Sequence, residues 1–327
     1  MHRTLFKLNA ALLAAAAFAF TACGNTTSAS GGGTDLEKEK KPEKPQVAPP
    51  APDASTEAAE LLISDRVYTA NGVAFTMKAV QTVKDGVIGN NKLKNNKERK
   101  VNLTAYRIGE TEVTQELWEA VMGKEKNYSY FKDKPPASGE EQKRRPVEQA
   151  TWDECIDFCN TLTKLLMGEK EQVYTVSGKT VTQDLSKKGF RLPTEAEWEW
   201  AAASGQKREV WAGTNKKENL KDYAWFSNSD DGDAEGKTHE VKKKKPNEFG
   251  LYDMSGNVSE WCWDSASDNT SGGGDDPTGP KQFTSAKVFK GGSYYDGTGV
   301  TTECAYKNEE SRASPIQLLG LRIVCRP

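Results

Sequence analysis

From Leu8 to Ala22 the chain is almost wholly Ala, Leu and Phe. That run is too short to span a bilayer as a mature helix, but it has the length of a signal-peptide core. Between Asn25 and about Glu60 no apolar periodicity exists: Ser/Gly/Thr gives way to Glu-Lys-Glu-Lys-Lys-Pro-Glu-Lys-Pro and then Ala/Pro. A segment so polar, charged and Pro-rich cannot build a core. Periodicity returns at Val67–Val83, which alternates weakly and breaks at Asn71-Gly72, predicting two strands and a turn. Residues 84–100, rich in Gly, Asn and Lys, read as loop, and Tyr106–Gly109 as strand. Thr114 then caps a helix with Leu117, Trp118, Val121 and Met122 on one face. A second helix starts at Thr151, with Glu154 as its capping-box partner and Trp152, Cys155, Ile156, Cys159 and Leu162 as its buried stripe. Gln172–Gln183 predicts a hairpin around Ser177-Gly178, and Glu195–Ala203 a third helix. Short strands are expected at Val258–Trp263, Ala286–Lys290, Glu303–Tyr306 and Leu321–Cys325. Few helices, no repeat and no βα alternation indicate an α+β domain with long loops.

The basic residues His2, Arg3 and Lys7 precede the apolar run, which ends in Phe20-Thr21-Ala22-Cys23-Gly24. Small residues before a cysteine at that place predict lipoprotein processing. The organisation expected is a signal peptide at 1–22, a lipidated disordered tether at 23–60 and a folded domain at 61–327. A net charge of −2 argues against nucleic acid, and the Lys242–Lys245 run is offset by acids at 230–235. Of six cysteines, lipid on Cys23 leaves five, so at least one cannot pair within the chain. The Trp residues at 118, 152, 198, 200, 211, 225, 261 and 263 are expected in the core.

Several segments carry a resemblance when taken in order. They are Gly109-Glu-Thr-Glu-Val-Thr-Gln-Glu-Leu-Trp118, Pro146-Val-Glu-Gln-Ala-Thr-Trp152, Phe190-Arg-Leu-Pro-Thr-Glu-Ala-Glu-Trp198, Asn247-Glu-Phe-Gly-Leu-Tyr-Asp-Met-Ser-Gly-Asn-Val-Ser-Glu-Trp261, Lys290-Gly-Gly-Ser293 and Gly320-Leu-Arg322. Together they resemble the formylglycine-generating-enzyme (sulfatase-modifying factor) family over roughly residues 66–327. The resemblance implies a C-type lectin fold of the formylglycine-generating type, with a small antiparallel core sheet, helices and long loops. It also implies two copper-binding cysteines after the Gly-Gly-Ser strand. Soft thiolates suit Cu(I), but those positions fall on Asp296 and Thr301. Ser293 matches an active-site serine that then has no redox partner, and Cys304 is the one nearby thiol. With His2 and His239 alone, a histidine metal triad is impossible. No copper and no enzyme activity are therefore expected.

The family pattern implies structural calcium as well, since hard cations take carboxylates and carbonyls from loops. One set maps to Asp253, Gly256, Val258 and Glu260, a second to Asn219, Leu220, Asp233 and Glu235. It further implies pairing of Cys159 with Cys325. Cys262 and Cys304 could also pair, or all five thiols could be reduced core residues. A non-catalytic exported member is similar to the variable proteins of diversity-generating retroelements, whose C-terminal lectin segment, here about 290–327, is altered for ligand binding. On that likeness Tyr294, Tyr295, Asp296, Thr298, Val300, Thr301, Ser314, Ile316 and Leu318 are expected on one exposed face. The partner would be a protein or glycan on another cell or host surface. The chain would be a monomer held by lipid at the outer membrane. A divergent oxidase and a structural envelope lipoprotein are the alternatives.

Overall fold

Alternation at the start of the folded part becomes a hairpin of β1 (Arg66–Ala70) and β2 (Val73–Val80), turned at Asn71-Gly72 where both residues have positive φ. The computed structural model describes residues 62–327 apart from 228, 230–231, 267–272, 281–283 and 298–299. The expected signal peptide, the tether with Cys23, and Thr298 lie outside the described residues. Residues 84–100 are not all loop, as the sequence suggested: β3 (Val83–Ile88) pairs with β4 (Arg99–Leu103). Gly86 inside β3 has a packing reason, because a Cβ there would lie 2.7 Å from the Trp200 ring.

Two four-stranded sheets form the frame. In the first, β2 is flanked by β1 and by β5 (Tyr106–Gly109), which pairs with the short β13 (Val324–Cys325). In the second, β8 (Ser259–Ser265) lies between β10 (Ala286–Lys290) and β12 (Leu319–Gly320), and β11 (Asn308–Ser311) closes the far edge of β10. The expected strand Glu303–Tyr306 is instead a turn, with Tyr306 N donating to Glu303 O, and the strand begins at Asn308. The expected Leu321–Cys325 strand divides between the sheets: Leu319–Gly320 runs parallel to β8, and Val324–Cys325 runs antiparallel to β5. The hairpin at 174–183 consists of β6 (Tyr174–Ser177) and β7 (Thr180–Gln183), and β9 (Gly274–Asp275) adds to β4.

Among the described residues three α-helices pack on this frame. Thr114 caps α1 (Gln115–Met122), Thr151 caps α2 (Trp152–Leu166) and Thr194 caps α3 (Glu195–Ala202). Both of the latter carry full capping boxes, with Glu154 and Glu197, so orphan amides at each start are satisfied reciprocally. The α2 stripe packs with Trp118, Phe190 and Trp261 in one core cluster, and Trp198, Trp200 and Ala201 of α3 sit in a second. Six of the expected core tryptophans are buried; Trp225 and Trp263 are half-buried.

Candidate ligand-binding face

After β10 the chain turns on Gly291 and Gly292, with φ of 93° and 66°. The turn is held from within: Ser293 N and Oγ both donate to Asp296 Oδ2, at 2.8 and 2.7 Å. Asp296 therefore serves as a turn cap, and its carbonyl accepts from Ser227 N at 2.8 Å. Tyr294 N donates to Asn257 O, and two residues on Ser259 N donates to Leu318 O, each at 2.8 Å. One short stretch of chain thus joins the segment after Gly291-Gly292-Ser293 to the segment before β12.

The expected binding residues divide on this frame. Tyr295 is 68% exposed and Val300 43%, while Tyr294 is 2% exposed. The expectation that Tyr294 lies on the surface is corrected: its ring packs edge-on to Phe131 at 5.4 Å and lines a small cluster with Ala234, Trp225 and Leu318. Thr301, Ser314, Ile316 and Leu318 are half-buried. Ile316 packs against the α2 core, and Ser314 Oγ donates to Glu310 at 3.0 Å, so these two are fixed locally. Thr298 falls outside the described residues.

Nucleophilic chemistry finds little support in the side chains. Burial raises the Cys304 thiol far above its ordinary range, so it is not a ready thiolate. His239 is engaged at both ring nitrogens, with Glu140 at 2.8 Å and Ala234 O at 3.0 Å, and it stacks on Trp225 at 3.8 Å. A cleft of about 310 Å³ opens beside Ile88, Glu199, Arg208 and Cys304, and none of the expected binding residues lines it.

The expected metal sets are tested by where their oxygens go. Both Glu260 oxygens accept from Arg322, at 2.8–3.0 Å, and Trp198 Nε1 donates to Oε2 at 2.6 Å. Glu260 does not fit the ligand role expected of it. Asp253 does, since its Oδ1 is buried without a partner while Oδ2 accepts from Lys242 N at 3.0 Å. In the second set Asn219 and Leu220 lie on the 3-10 turn Lys217–Asp222, and Asp233 and Glu235 are ion-paired to Lys244 and Lys237. Among the described residues no three His, Cys, Asp or Glu side chains are grouped to hold a metal. The disulfide expectations are corrected too: Cys155, Cys159, Cys262, Cys304 and Cys325 are all free and buried. Cys304 is not in a strand beside Cys262, and Cys325 Sγ lies 3.9 Å from the Tyr68 hydroxyl.

Sequence reasoning missed a set of buried charges. On α3, Glu195 pairs with Arg99 and Lys307 at 3.1 Å each, Glu197 with Arg191 at 2.6 Å and Glu199 with Lys290 at 2.9 Å. It also missed Arg145 and Glu148, both fully buried beside Phe131. Their one signal was position, in and just after the Arg144-Arg145-Pro146 run that leads into the second helix.

This frame of two curled, mainly antiparallel sheets with few helices is the C-type-lectin-like fold of the formylglycine-generating type. Residues 53–327 match the sulfatase-modifying factor enzyme 1-like domain, and the chain belongs to that family. Treponema denticola variable protein 1 has a solved structure that superimposes with a TM-score of 0.72 at 41% identity, covering 80% of this chain and 99% of that one. The chain is 34% identical over 259 residues to chaperone protein LppX of Paenibacillus barcinonensis, covering 69% of this chain and 82% of the relative. It is 32% identical over 191 residues to the formylglycine-generating enzyme of Thermomonospora curvata, covering 54% of this chain and 52% of that enzyme. An inactive C-alpha-formylglycine-generating enzyme 2 of Bos taurus is 35% identical over 121 residues, 36% of this chain and 39% of the relative. The chain thus spans about half or less of the length of these last two relatives.

Proposed function

We propose that this chain is a non-catalytic exported lipoprotein, anchored through Cys23 at the outer membrane surface, that displays a variable ligand-binding face on its lectin-type domain. Two backbone bonds carry the reading: Tyr294 N to Asn257 O and Ser259 N to Leu318 O, both 2.8 Å, which draw the segments after β10 and before β12 together. Around them the large side chains of Tyr295 and Val300 are exposed and available for contact. A tyrosine offers broad amphipathic contact area at low entropic cost. The likeness to a treponemal variable protein supports the same reading. Against catalysis stand Asp296, whose carboxylate caps a turn, and Thr301, at the two positions where the family enzyme carries cysteine. The partner proposed is a protein or glycan on another cell, bound by a monomer.

Sequencing of sister isolates tests this. Positions 295–301 and 314–318 should differ far more than Tyr294, Trp152, Arg191 and Trp261, which are buried. Even divergence along the chain would favour a structural envelope lipoprotein.

A further inference from the structure

Three segments meet around the cleft of about 310 Å³ beside α3: the turn after β3, the loop after α3, and residues 303–305 before β11. Hydrogen bonds staple them together. Gly89 N donates to Glu199 Oε1, and Gly89 O accepts from Arg208 Nη2 at 3.2 Å. Cys304 N donates to Val210 O at 2.8 Å. The cleft is therefore formed before anything enters it, at the small end of the roughly 300–1,000 Å³ range of ligand sites. Its walls are apolar: Ile88, Trp200 and Cys304 are buried, and Val87 and Val210 half-buried. Most of the acids on it are already matched. Glu199 Oε2 accepts from Lys290 Nζ at 2.9 Å and from Asn96 Nδ2 at 2.7 Å, and Glu98 pairs with Arg208. Glu209 Oε2 accepts from Ser204 Oγ and Gly213 N, at 2.6 and 2.9 Å. Glu303 differs. Its half-buried carboxylate meets no hydrogen-bond or ion-pair partner among the described residues. Burial raises it, and only Lys92, exposed on the rim, acts the other way.

We propose that this cleft binds an alkylammonium group, of a lysine side chain or a free amine, with Glu303 as the partner of its charge and Ile88, Trp200 and Val210 as the sleeve for its stem. None of the residues assigned to the variable face lines the cleft, so the inference goes beyond that reading and does not depend on it. The chemistry of the lining selects the class. A carboxylate in a partly dehydrated space gains a charge-assisted hydrogen bond from an incoming ammonium. A neutral ligand would leave that charge unmatched, and an anion would be repelled. Apolar walls take up the methylene stem that carries such a head. A divalent metal does not fit, because among the described residues no three His, Cys, Asp or Glu side chains are grouped to hold one. Lys92 opposes the ligand as a like charge on the rim. That gives the site a signature, since removing Lys92 and removing the Glu303 charge act in opposite directions.

The test titrates Nα-acetyl-lysine methylamide, cadaverine and the uncharged Nα-acetyl-norleucine methylamide into the purified, nitrogen-labelled full chain and follows amide and indole shifts by NMR. The lysine amide or cadaverine should move the signals of Trp200 and Ala305, and should bind about tenfold or more tighter than the norleucine amide. The tighter of the two amines distinguishes the source: the lysine amide points to a protein partner, cadaverine to a free amine. Glu303→Gln should weaken binding about tenfold, and Lys92→Ala should tighten it. Glu309→Gln, exposed on β11 and outside the cleft, should leave it unchanged. Should Glu303→Gln not fold, Lys92→Ala on the exposed rim carries the reading through its opposite sign. No shift with either amine overturns the site. So does a norleucine amide that binds as well as the lysine amide, or an equal loss in Glu303→Gln and Glu309→Gln, which would reduce the effect to net charge.

Discussion

Arg322 and Glu260 form an ion pair at 2.8 Å with both side chains wholly buried. Glu260 sits on β8 of one sheet, while Arg322 also donates through Nη1 to Gly109 O on β5 of the other, at 2.8 Å. The pair therefore ties the two sheets together at the point where the chain crosses from β12 to β13. Arg322 Nη2 adds a bond to Tyr252 O at 2.8 Å, so the guanidinium is almost fully engaged.

Removing one partner of such a pair leaves the other charge buried and unmatched, which costs about 3–5 kcal/mol. Glu260→Ala is expected to lower stability by that order in urea titrations. The loss should be the same in EDTA and in millimolar calcium, because the carboxylate is occupied by Arg322 and Trp198. A loss seen in calcium alone would return Glu260 to the role of metal ligand.

Much of the frame is legible in the sequence because local signals agree with the tertiary structure. Thr114, Thr151 and Thr194 each accept from the N3 amide of a helix, and Asn71-Gly72 supplies the positive φ of a hairpin turn. β3 was not legible because Gly86, a strand breaker in isolation, is needed where Trp200 approaches. The buried acids of α3 were hidden for another reason. That helix is covered on every side, so it has no polar face to betray, and Glu195, Glu197 and Glu199 find their cations on distant strands and loops. After β10 the sequence could not sort Tyr294 from Tyr295. They follow a turn at Gly291-Gly292 rather than a strand, and their opposite burial is decided by Phe131, far away in sequence.

Cys155, Cys159, Cys262, Cys304 and Cys325 are buried thiols, and burial raises each of them above the ordinary range. Thiols of this kind act as small apolar core residues. Iodoacetamide should leave them unmodified in the native protein. In denaturant without reductant, mass spectrometry should show all five alkylated. Dithiothreitol should leave the melting temperature unchanged. Fewer alkylated sites before reduction, restored by dithiothreitol, would mean that a pair such as Cys159–Cys325 forms after all.

Glu148 gives the stability of the fold a pH dependence of definite sign. Burial pushes its carboxyl up to about 7 from the ordinary 4.5, against the lowering effect of the Phe131 amide and the Arg145 guanidinium. Its pKa in the folded chain is raised, so the native state binds that proton more tightly than the unfolded chain does. The resulting stability is fully present below about pH 4.5 and is lost as pH rises through about 7. The ceiling on the effect is about 3 kcal/mol, because a tenfold change in proton affinity is worth about 1.36 kcal/mol. Glu148→Gln, which keeps the shape and cannot ionise, should flatten this part of the stability profile between about pH 5 and 8, measured by urea unfolding. Asp264 and Asp253, also raised by burial, contribute slopes of the same sign that remain in the variant, so the comparison is the difference between the two profiles. That difference should be close to zero below about pH 4 and grow in favour of Glu148→Gln toward about pH 8. Parallel profiles would mean that Glu148 is solvated or fully ion-paired with Arg145 in the folded chain.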